Sequence, residues 1–157
     1  MAQDTYTVER TTTIAAPAGR IYDQIVDFHK WPNWSPWEDL DPALQRDYSG
    51  PEAGTGAVYH WSGNRKAGEG RMEIVRAVDP DRVDIDLQFV KPFKARNDTS
   101  FVLTLEDDNR TRVLWTMTGK KTFMTKAMGL FTSMDKMVGP DFEKGLDRLK
   151  KVTEGRS

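Results

Sequence analysis

The sequence has no cysteine, only two histidines and no long apolar run. The missing cysteines exclude disulfide bonds, a thiolate nucleophile and cysteine-ligated zinc. No segment reaches the ~20 apolar residues that a membrane-spanning helix needs, and the first residues lack the apolar core of a secretory signal. We therefore expect a cytoplasmic protein without integral membrane association.

An excess of charge of either sign is also missing. Lys and Arg number 23 and Asp and Glu 24, so the formal net charge is -1, and the two signs are interleaved along the chain. This balance gives no electrostatic reason to expect a nucleic acid partner. A chain of 157 residues without a linker, repeat or low-complexity tract predicts a single domain over residues 1–157, acting as a monomer or a homodimer.

The hydrophobic period changes twice along the chain, which predicts an α+β fold. A strand rich in Thr and Val (residues 6–14) precedes a short helix that begins near Pro17. Between residues 44 and 120, apolar residues alternate with polar ones, and turn sequences divide this stretch into about six antiparallel strands. The final segment returns to a helical period, in which Gly139-Pro140 is expected to kink or briefly break the helix.

The stretch FHKWPNWSPWEDLDP (residues 28–42) combines many aromatic rings with many prolines. Trp31, Trp34 and Trp37 are spaced by three, so Trp34 and Trp37 are expected to share a face of a short turn. Pro32 and Pro36 disfavour a continuous helix and predict one or two helical turns with a loop. Such large side chains either fill one end of a core or contact a ligand, and both interpretations stay open.

Four segments resemble the helix-grip fold of the START-like (SRPBCC) superfamily, in particular its bacterial polyketide cyclase/dehydrase-like branch. They are IAAPAGRIYDQIVDFHKWPNWSPW, GTGAVYHWSGN, GEGRMEIV and FEKGLDRLKKVTE. The resemblance implies a curved antiparallel sheet of about seven strands wrapped around a long C-terminal helix, with one or two short helices after the first strand. It also implies a cavity between sheet and helix that holds a hydrophobic or amphipathic molecule, such as a lipid, polyketide, isoprenoid or aromatic metabolite.

Aromatic and methionine side chains are the candidates for the wall of such a cavity. Tyr59 and Trp61 lie two apart on a predicted strand and share a face, whereas His60 points the other way. Methionine adapts to varied apolar shapes, although a methionine stripe also suits a plain core. The predicted ligand-binding residues are Trp34, Trp37, Tyr59, Trp61, Met72, Phe89, Trp115, Met128, Phe131 and Met134.

Motifs for metal, nucleophilic or dinucleotide chemistry are missing, and we expect no metal and no cofactor. The sequence has no HExxH and no GxSxG, and its glycine pairs lack the third glycine of a dinucleotide fingerprint. Carboxylates remain as a general base for a cyclase or dehydrase, namely Glu38, Asp39, Asp41 and Glu69. Glu69 or Asp39 pointing into the cavity would favour this enzyme, and a wholly apolar wall would exclude it.

The sequence is compatible with three functions, all of which use the same fold. The first is binding of a hydrophobic small molecule, and the second is a polyketide cyclase or dehydrase. The third is a protein-interaction module of the chaperone-cofactor type, which would have a filled interior and a large exposed apolar patch.

Overall fold

The structure, a computed structural model, describes residues 5–91, 94–120 and 134–155. In these ranges the helices are α1 (Ala18–Val26), two short 3-10 helices (Phe28–Asn33 and Pro36–Asp39) and α2 (Met134–Thr153). The strands are β1 (Thr5–Ile14), β2 (Gln45–Ser49), β3 (Val58–Ser62), β4 (Glu69–Val78), β5 (Arg82–Lys91), β6 (Ala95–Asp107) and β7 (Arg110–Lys120).

The strands form one curved antiparallel sheet in the order β1-β7-β6-β5-β4-β3-β2. Strands β2 to β7 are a meander in which each strand pairs with the next, and β1 joins the far edge by pairing with β7. The register of β4 against β5 shifts at Glu69/Gly70 and at Ile74/Arg76. Such bulges bend a strand, which suits a sheet that wraps around a helix.

Alternation along the strands and an apolar stripe on each helix bury one common core. On β5, Val83 and Ile85 are buried on the concave face, as the period of two requires. Phe142, Leu146 and Leu149 make the buried stripe of α2, spaced by four and three residues as one side of an α-helix demands. The α+β helix-grip architecture predicted from the sequence is therefore confirmed. No helix in the described part of the chain has the length and apolarity to span a bilayer.

The tryptophan stretch forms two 3-10 helices joined by an extended residue, which confirms the predicted short turns. The Asp27 side chain accepts a hydrogen bond from the backbone N–H of His29 and so starts the first turn. Pro32 lies inside that helix, and Pro36 begins the second, where a missing N–H costs nothing.

The expected break at Gly139-Pro140 does not occur, because α2 is continuous from Met134 to Thr153. Pro140 removes one hydrogen bond of the helix, but contacts with β1 support the chain on both sides of it. The guanidinium of Arg10 packs directly against Gly139, and its Nε lies 2.8 Å from Glu143 Oε2, one turn further along. Tertiary contacts thus hold the helix across the proline.

Candidate ligand-binding cavity

A cavity of about 380 Å³ lies between the concave face of the sheet, the 3-10 helices and α2. This volume is within the ~300–1,000 Å³ of small-molecule sites. Six of the predicted residues have side chains on its wall, and these are Trp37, Tyr59, Trp61, Met72, Phe89 and Trp115. Because most of the wall is aromatic or aliphatic, the cavity offers a large apolar surface to a molecule of matching size.

Trp61 owes its position on the wall to Gly70. The two residues are register partners on β3 and β4, and the indole ring lies over the glycine: a Cβ there would be 2.6 Å from Trp61 Cζ2. The indole N–H donates to Ala67 O at 2.9 Å, and Phe89 meets the ring edge-on, with centroids 5.9 Å apart. The ring is therefore held flat against the sheet and leaves the cavity open.

A sandwich of aromatic rings holds Trp115 on the opposite side of the cavity. Its ring stacks on Phe142 of α2 at 4.1 Å and on Phe101 at 4.7 Å. Trp37, from the second 3-10 helix, meets Trp115 edge-on with centroids 5.7 Å apart. These contacts connect the helix, the sheet and the tryptophan stretch around one end of the cavity.

Trp34 lies off the wall, in the core beneath α1. It is fully buried, its indole N–H donates to Gln24 O at 3.0 Å, and its ring packs edge-on against Phe101 and Trp115. Trp34 and Trp37 do not belong to one turn, because Ser35 between them is extended, with φ -74° and ψ 123°, although both rings meet Trp115 edge-on. Trp34 is thus not among the described residues that line the cavity, and its contact with a ligand stays a prediction.

Three further predicted residues cannot be assigned to the wall. Met128 and Phe131 lie outside the described residues, and for Met134 only the backbone at the start of α2 is described. Their contact with a ligand stays a prediction.

Glu38 brings a carboxylate to the otherwise apolar wall. Arg46 Nε donates to its Oε1 at 2.7 Å, and the Tyr59 hydroxyl donates to its Oε2 at 2.8 Å. Glu38 is only 8% exposed, so these partners are what make its burial tolerable. Burial and the adjacent Glu38 carboxylate raise the pKa of Tyr59 far above its ordinary value, and the hydrogen bond to Glu38 raises the pKa of Arg46.

Stacked rings fix the position of Tyr59 in this cluster. Tyr48, its register partner on β2, stacks on it with centroids 5.2 Å apart, and His29 stacks on Tyr48 at 4.0 Å. The hydroxyl of Tyr59 is thereby aimed at Glu38 by residues of two strands and the first 3-10 helix.

The other predicted carboxylates do not reach the cavity. Asp39 pairs with Arg148 of α2 at 2.6 Å, and Asp41 accepts from the backbone of Ala43 and Asn64. Glu69 pairs with His60 at 3.0 Å on the opposite face of the sheet. His60 thus points away from the cavity, as the strand alternation predicted.

Further polar groups lie at the other side of the wall. The Tyr6 hydroxyl donates to Asn97 Oδ1, a contact that needs glycine at position 119, because a Cβ there would lie 2.8 Å from the Tyr6 oxygen. Asp141 of α2 adds a carboxylate. Thr99 Oγ1 and Trp115 Nε1 are buried, each with less than 1 Å² exposed, and have no hydrogen-bond partner in the described structure.

Sequence reasoning missed several wall residues for which a signal existed. Leu87 lies two positions before Phe89 and Met117 two after Trp115, so strand parity puts both on the wall. Phe142 opens the buried stripe of α2 and also faces the cavity. No such signal existed for Asp141, which is polar and adjoins Phe142 on the helix. Within the described ranges, no three His, Asp or Glu side chains come together as a metal-ligand set.

Comparison with known proteins gives a family and a fold. The family model described as "Polyketide cyclase / dehydrase and lipid transport" matches residues 5–154. No curated protein matches the chain. The structure is similar to that of norcoclaurine synthase from Thalictrum flavum in complex with dopamine and hydroxybenzaldehyde, with a TM-score of 0.70 and 9% identity over 98% of this chain and 88% of that one.

Two further solved structures are similar along nearly their whole length. The Aha1 dimer from Colwellia psychrerythraea has a TM-score of 0.65 and 18% identity, and covers 95% of this chain and 96% of its own. A protein from Thermobifida fusca has a TM-score of 0.66 and 20% identity, with 95% and 93% covered. At such low identity the likeness shows the fold alone; together with the family model it confirms the START-like resemblance seen in the sequence.

Proposed function

The chain belongs to the polyketide cyclase/dehydrase and lipid transport family, and we propose that it binds one small hydrophobic or amphipathic molecule between its sheet and its C-terminal helix. The observation that supports this most strongly is the cavity of about 380 Å³ with aromatic rings on several sides. Burial of apolar ligand surface contributes ~25 cal/mol per Å², from which the costs of association and ordering are subtracted.

The size of the cavity narrows the kind of molecule. Its volume is near the lower end of small-molecule sites, so a compact aromatic, isoprenoid or polyketide-like molecule fits better than a lipid with two long acyl chains. The rigid rings of Trp37, Trp61 and Trp115 lose little conformational entropy when a ligand packs on them, which favours flat or ring-containing ligands.

Mass spectrometry of the purified protein, first native and then denatured, tests this proposal. We expect a noncovalent adduct of low mass that is released on unfolding, and its mass identifies the chemical class. Protein stripped by unfolding and refolding should regain affinity for the released compound. Protein that carries no adduct and that also fails to bind a panel of aromatic, isoprenoid and single-chain lipid compounds would contradict the proposal.

An enzyme of the cyclase or dehydrase type is the second candidate, because the wall includes a carboxylate. Glu38 contacts Tyr59 at 2.8 Å, and a carboxylate beside an enolisable ketone is a general base. Relaxation of the keto–enol equilibrium of 1-phenylbutane-1,3-dione, followed by the ultraviolet absorbance of the enol, distinguishes the two functions. An enzyme would accelerate the relaxation and lose this effect in Glu38→Gln; equal rates with and without protein would contradict catalysis.

The interaction-module alternative gains no support from the described residues. The interior contains a cavity rather than a filled core, and the large exposed hydrophobic side chains are Val75, Val78, Val90 and Leu105, four aliphatic residues on strands. The cytoplasmic location and the state as a monomer or a homodimer stay predictions. Light scattering after size-exclusion chromatography would determine the oligomeric state.

A further inference from the structure

We infer that the ligand carries a hydrogen-bond donor, a hydroxyl or an amine, which Glu38 and Tyr59 receive, and that the cavity selects against a carboxylate head group. This inference rests on the proposed binding function and specifies which chemistry the cavity recognises. It follows from the direction of the hydrogen bonds on the wall and from the signs of its charges.

The hydrogen bonds around Glu38 leave only acceptors for a ligand. A carboxylate offers about four lone-pair positions over its two oxygens and no proton. Arg46 and Tyr59 occupy one position on each oxygen. Tyr59 has a single hydroxyl proton, and it is committed to Glu38, so the phenol oxygen can only accept from a third group. Both wall residues therefore present lone pairs to the cavity.

Tyr6, on the other side of the cavity, also donates its hydroxyl proton within the protein. Its hydroxyl proton is donated to Asn97 Oδ1, which leaves the Tyr6 oxygen as an acceptor. Tyr59 and Tyr6 belong to one row of register partners that crosses the sheet through Met72, Leu87, Asn97 and Gly119. Of this row, Tyr59, Met72, Leu87 and Tyr6 line the cavity, so a ligand that lies along it would meet the accepting oxygens of the two tyrosines and, between them, the apolar side chains of Met72 and Leu87.

The charges on the wall also disfavour a ligand carboxylate. Among the described residues of the wall, the charged side chains are Glu38 and Asp141, which are negative, and Lys66, which is positive and lies in the exposed β3–β4 loop. Arg46 is not on the wall, and its Nε is already bonded to Glu38. A ligand carboxylate near Glu38 would meet a like charge in a poorly hydrated site, where repulsion is strong.

Neutral donors on the wall do not compensate a ligand anion. Thr99 Oγ1 and Trp115 Nε1 have no hydrogen-bond partner among the described residues, but each has less than 1 Å² exposed, so the cavity surface does not present them. Ser35 offers one small hydroxyl. The polar surface that the described residues offer to the cavity is thus mainly accepting, and a donor on the ligand is the group that it can satisfy.

Calorimetric titration with naphthalenes of matched size tests this directly. The probes are 2-naphthol, 2-naphthylmethylamine, 2-methoxynaphthalene and 2-naphthoate. Because a hydrogen bond to a carboxylate is among the stronger ones in proteins, we expect naphthol or the amine to bind about tenfold more tightly than the methoxy compound. Naphthoate should bind most weakly. Whichever donor binds more tightly shows whether the ligand class is phenolic or cationic.

Two variants connect this ranking with the proposed residues. In Glu38→Gln the advantage of the donor probes over 2-methoxynaphthalene should fall to about threefold or less, because a neutral amide accepts more weakly than a carboxylate. Tyr59→Phe keeps the Glu38–Arg46 pair and should lower the ratio in the same direction. Glu69→Gln is the matched control, since Glu69 lies on the other face of the sheet, and it should leave the ratio unchanged.

The outcomes separate this inference from the binding function. Equal affinity for naphthol, methoxynaphthalene and naphthoate in the wild-type protein would overturn the inference and leave the binding function intact. Tightest binding of naphthoate would overturn it as well. If none of the four probes binds, the inference is contradicted; if the purified protein also carries no adduct and binds no compound of the broader panel, the proposed function is contradicted as well. The ranking in the wild-type protein needs no variant, so poor folding of Glu38→Gln would not weaken the test.

Discussion

Replacing Trp61 by alanine should weaken ligand binding, whereas replacing its neighbour His60 should not. The two residues are adjacent on β3 but lie on opposite faces of the sheet: Trp61 is on the cavity wall, and His60 pairs with Glu69 at 3.0 Å. Each variant removes one large ring from the same strand. The pair therefore tests which face of the sheet receives the ligand.

The area of contact between Trp61 and a ligand gives the expected loss of affinity in Trp61→Ala. A buried aromatic side chain covers about 150–250 Å², and a ligand packed on one side of Trp61 buries roughly a third of this area. At ~25 cal/mol per Å² the contact contributes about 1–2 kcal/mol, which corresponds to a loss of about 5- to 30-fold in affinity. His60→Ala removes no wall area, and we expect it to change Kd by less than about twofold.

Calorimetric titration of both variants with 2-naphthol is the assay, with circular dichroism to establish that each variant is folded. The ratio of the two dissociation constants is the informative quantity, since any general loosening of β3 affects both variants. Equal losses in Trp61→Ala and His60→Ala, or a larger loss in His60→Ala, would refute the placement of the binding site on the concave face.

Three further predictions concern stability. Gly70→Ala should lower the free energy of unfolding by about 1–3 kcal/mol in chemical denaturation, because the new Cβ would lie 2.5 Å from Gln88 O and against the Trp61 ring. The control Gly19→Ala, with nothing within 4 Å, should stabilise α1 by up to about 1 kcal/mol. Equal effects of the two variants would contradict the close packing at Gly70. Tyr59→Phe should cost about 2 kcal/mol and lower Tm by roughly 4–8 °C, because Glu38 loses a buried donor; an unchanged Tm would show that this hydrogen bond contributes nothing. Burial raises the pKa of all four tyrosines, so the folded state favours the neutral phenol. The stability of the folded protein should therefore be full below about pH 10 and fall as pH rises further. Phenolate absorbance should appear together with unfolding, at a higher pH than in protein unfolded by guanidinium. The tyrosines are Tyr6, Tyr22, Tyr48 and Tyr59.

Strand alternation predicted much of the site because it is a strictly local rule. On β3 it separated Tyr59 and Trp61 from His60, and the structure places the first two on the wall. The same rule would have included Leu87 and Met117. Period-two patterns transfer well to geometry because every second side chain in a strand must share a face.

The tryptophan stretch and its carboxylates could not be predicted in this way. One extended residue, Ser35, is enough to keep Trp34 and Trp37 out of one turn, and no periodicity in the sequence reveals it. Among the neighbouring carboxylates, Glu38 is the one on the wall because of Arg46 and Tyr59, which are 8 and 21 residues away. Which carboxylate lies on the wall therefore depends on partners that are distant in the sequence.

The C-terminal helix is a second place where a local sequence rule could not foresee the effect of long-range contacts. A local rule predicted that Gly139-Pro140 would kink or briefly break it, yet the helix is not broken there. The contact of Arg10 with Gly139 and its ion pair with Glu143 come from β1, at the far end of the sequence. Tertiary packing commonly overrides such local preferences.

The most direct test of the central claim, that the cavity binds a small amphipathic molecule, is to follow the indole N–H signals of the five tryptophans by NMR during titration with 2-naphthol. Assignment uses one Trp→Phe variant per position. We predict large shifts for Trp37, Trp61 and Trp115, three of the four tryptophans that line the cavity, and the smallest shift for Trp34, which does not line it and whose N–H is bonded to Gln24 O beneath α1. If the three wall signals stay in place at saturation, or if Trp34 shifts the most, the ligand does not occupy this cavity.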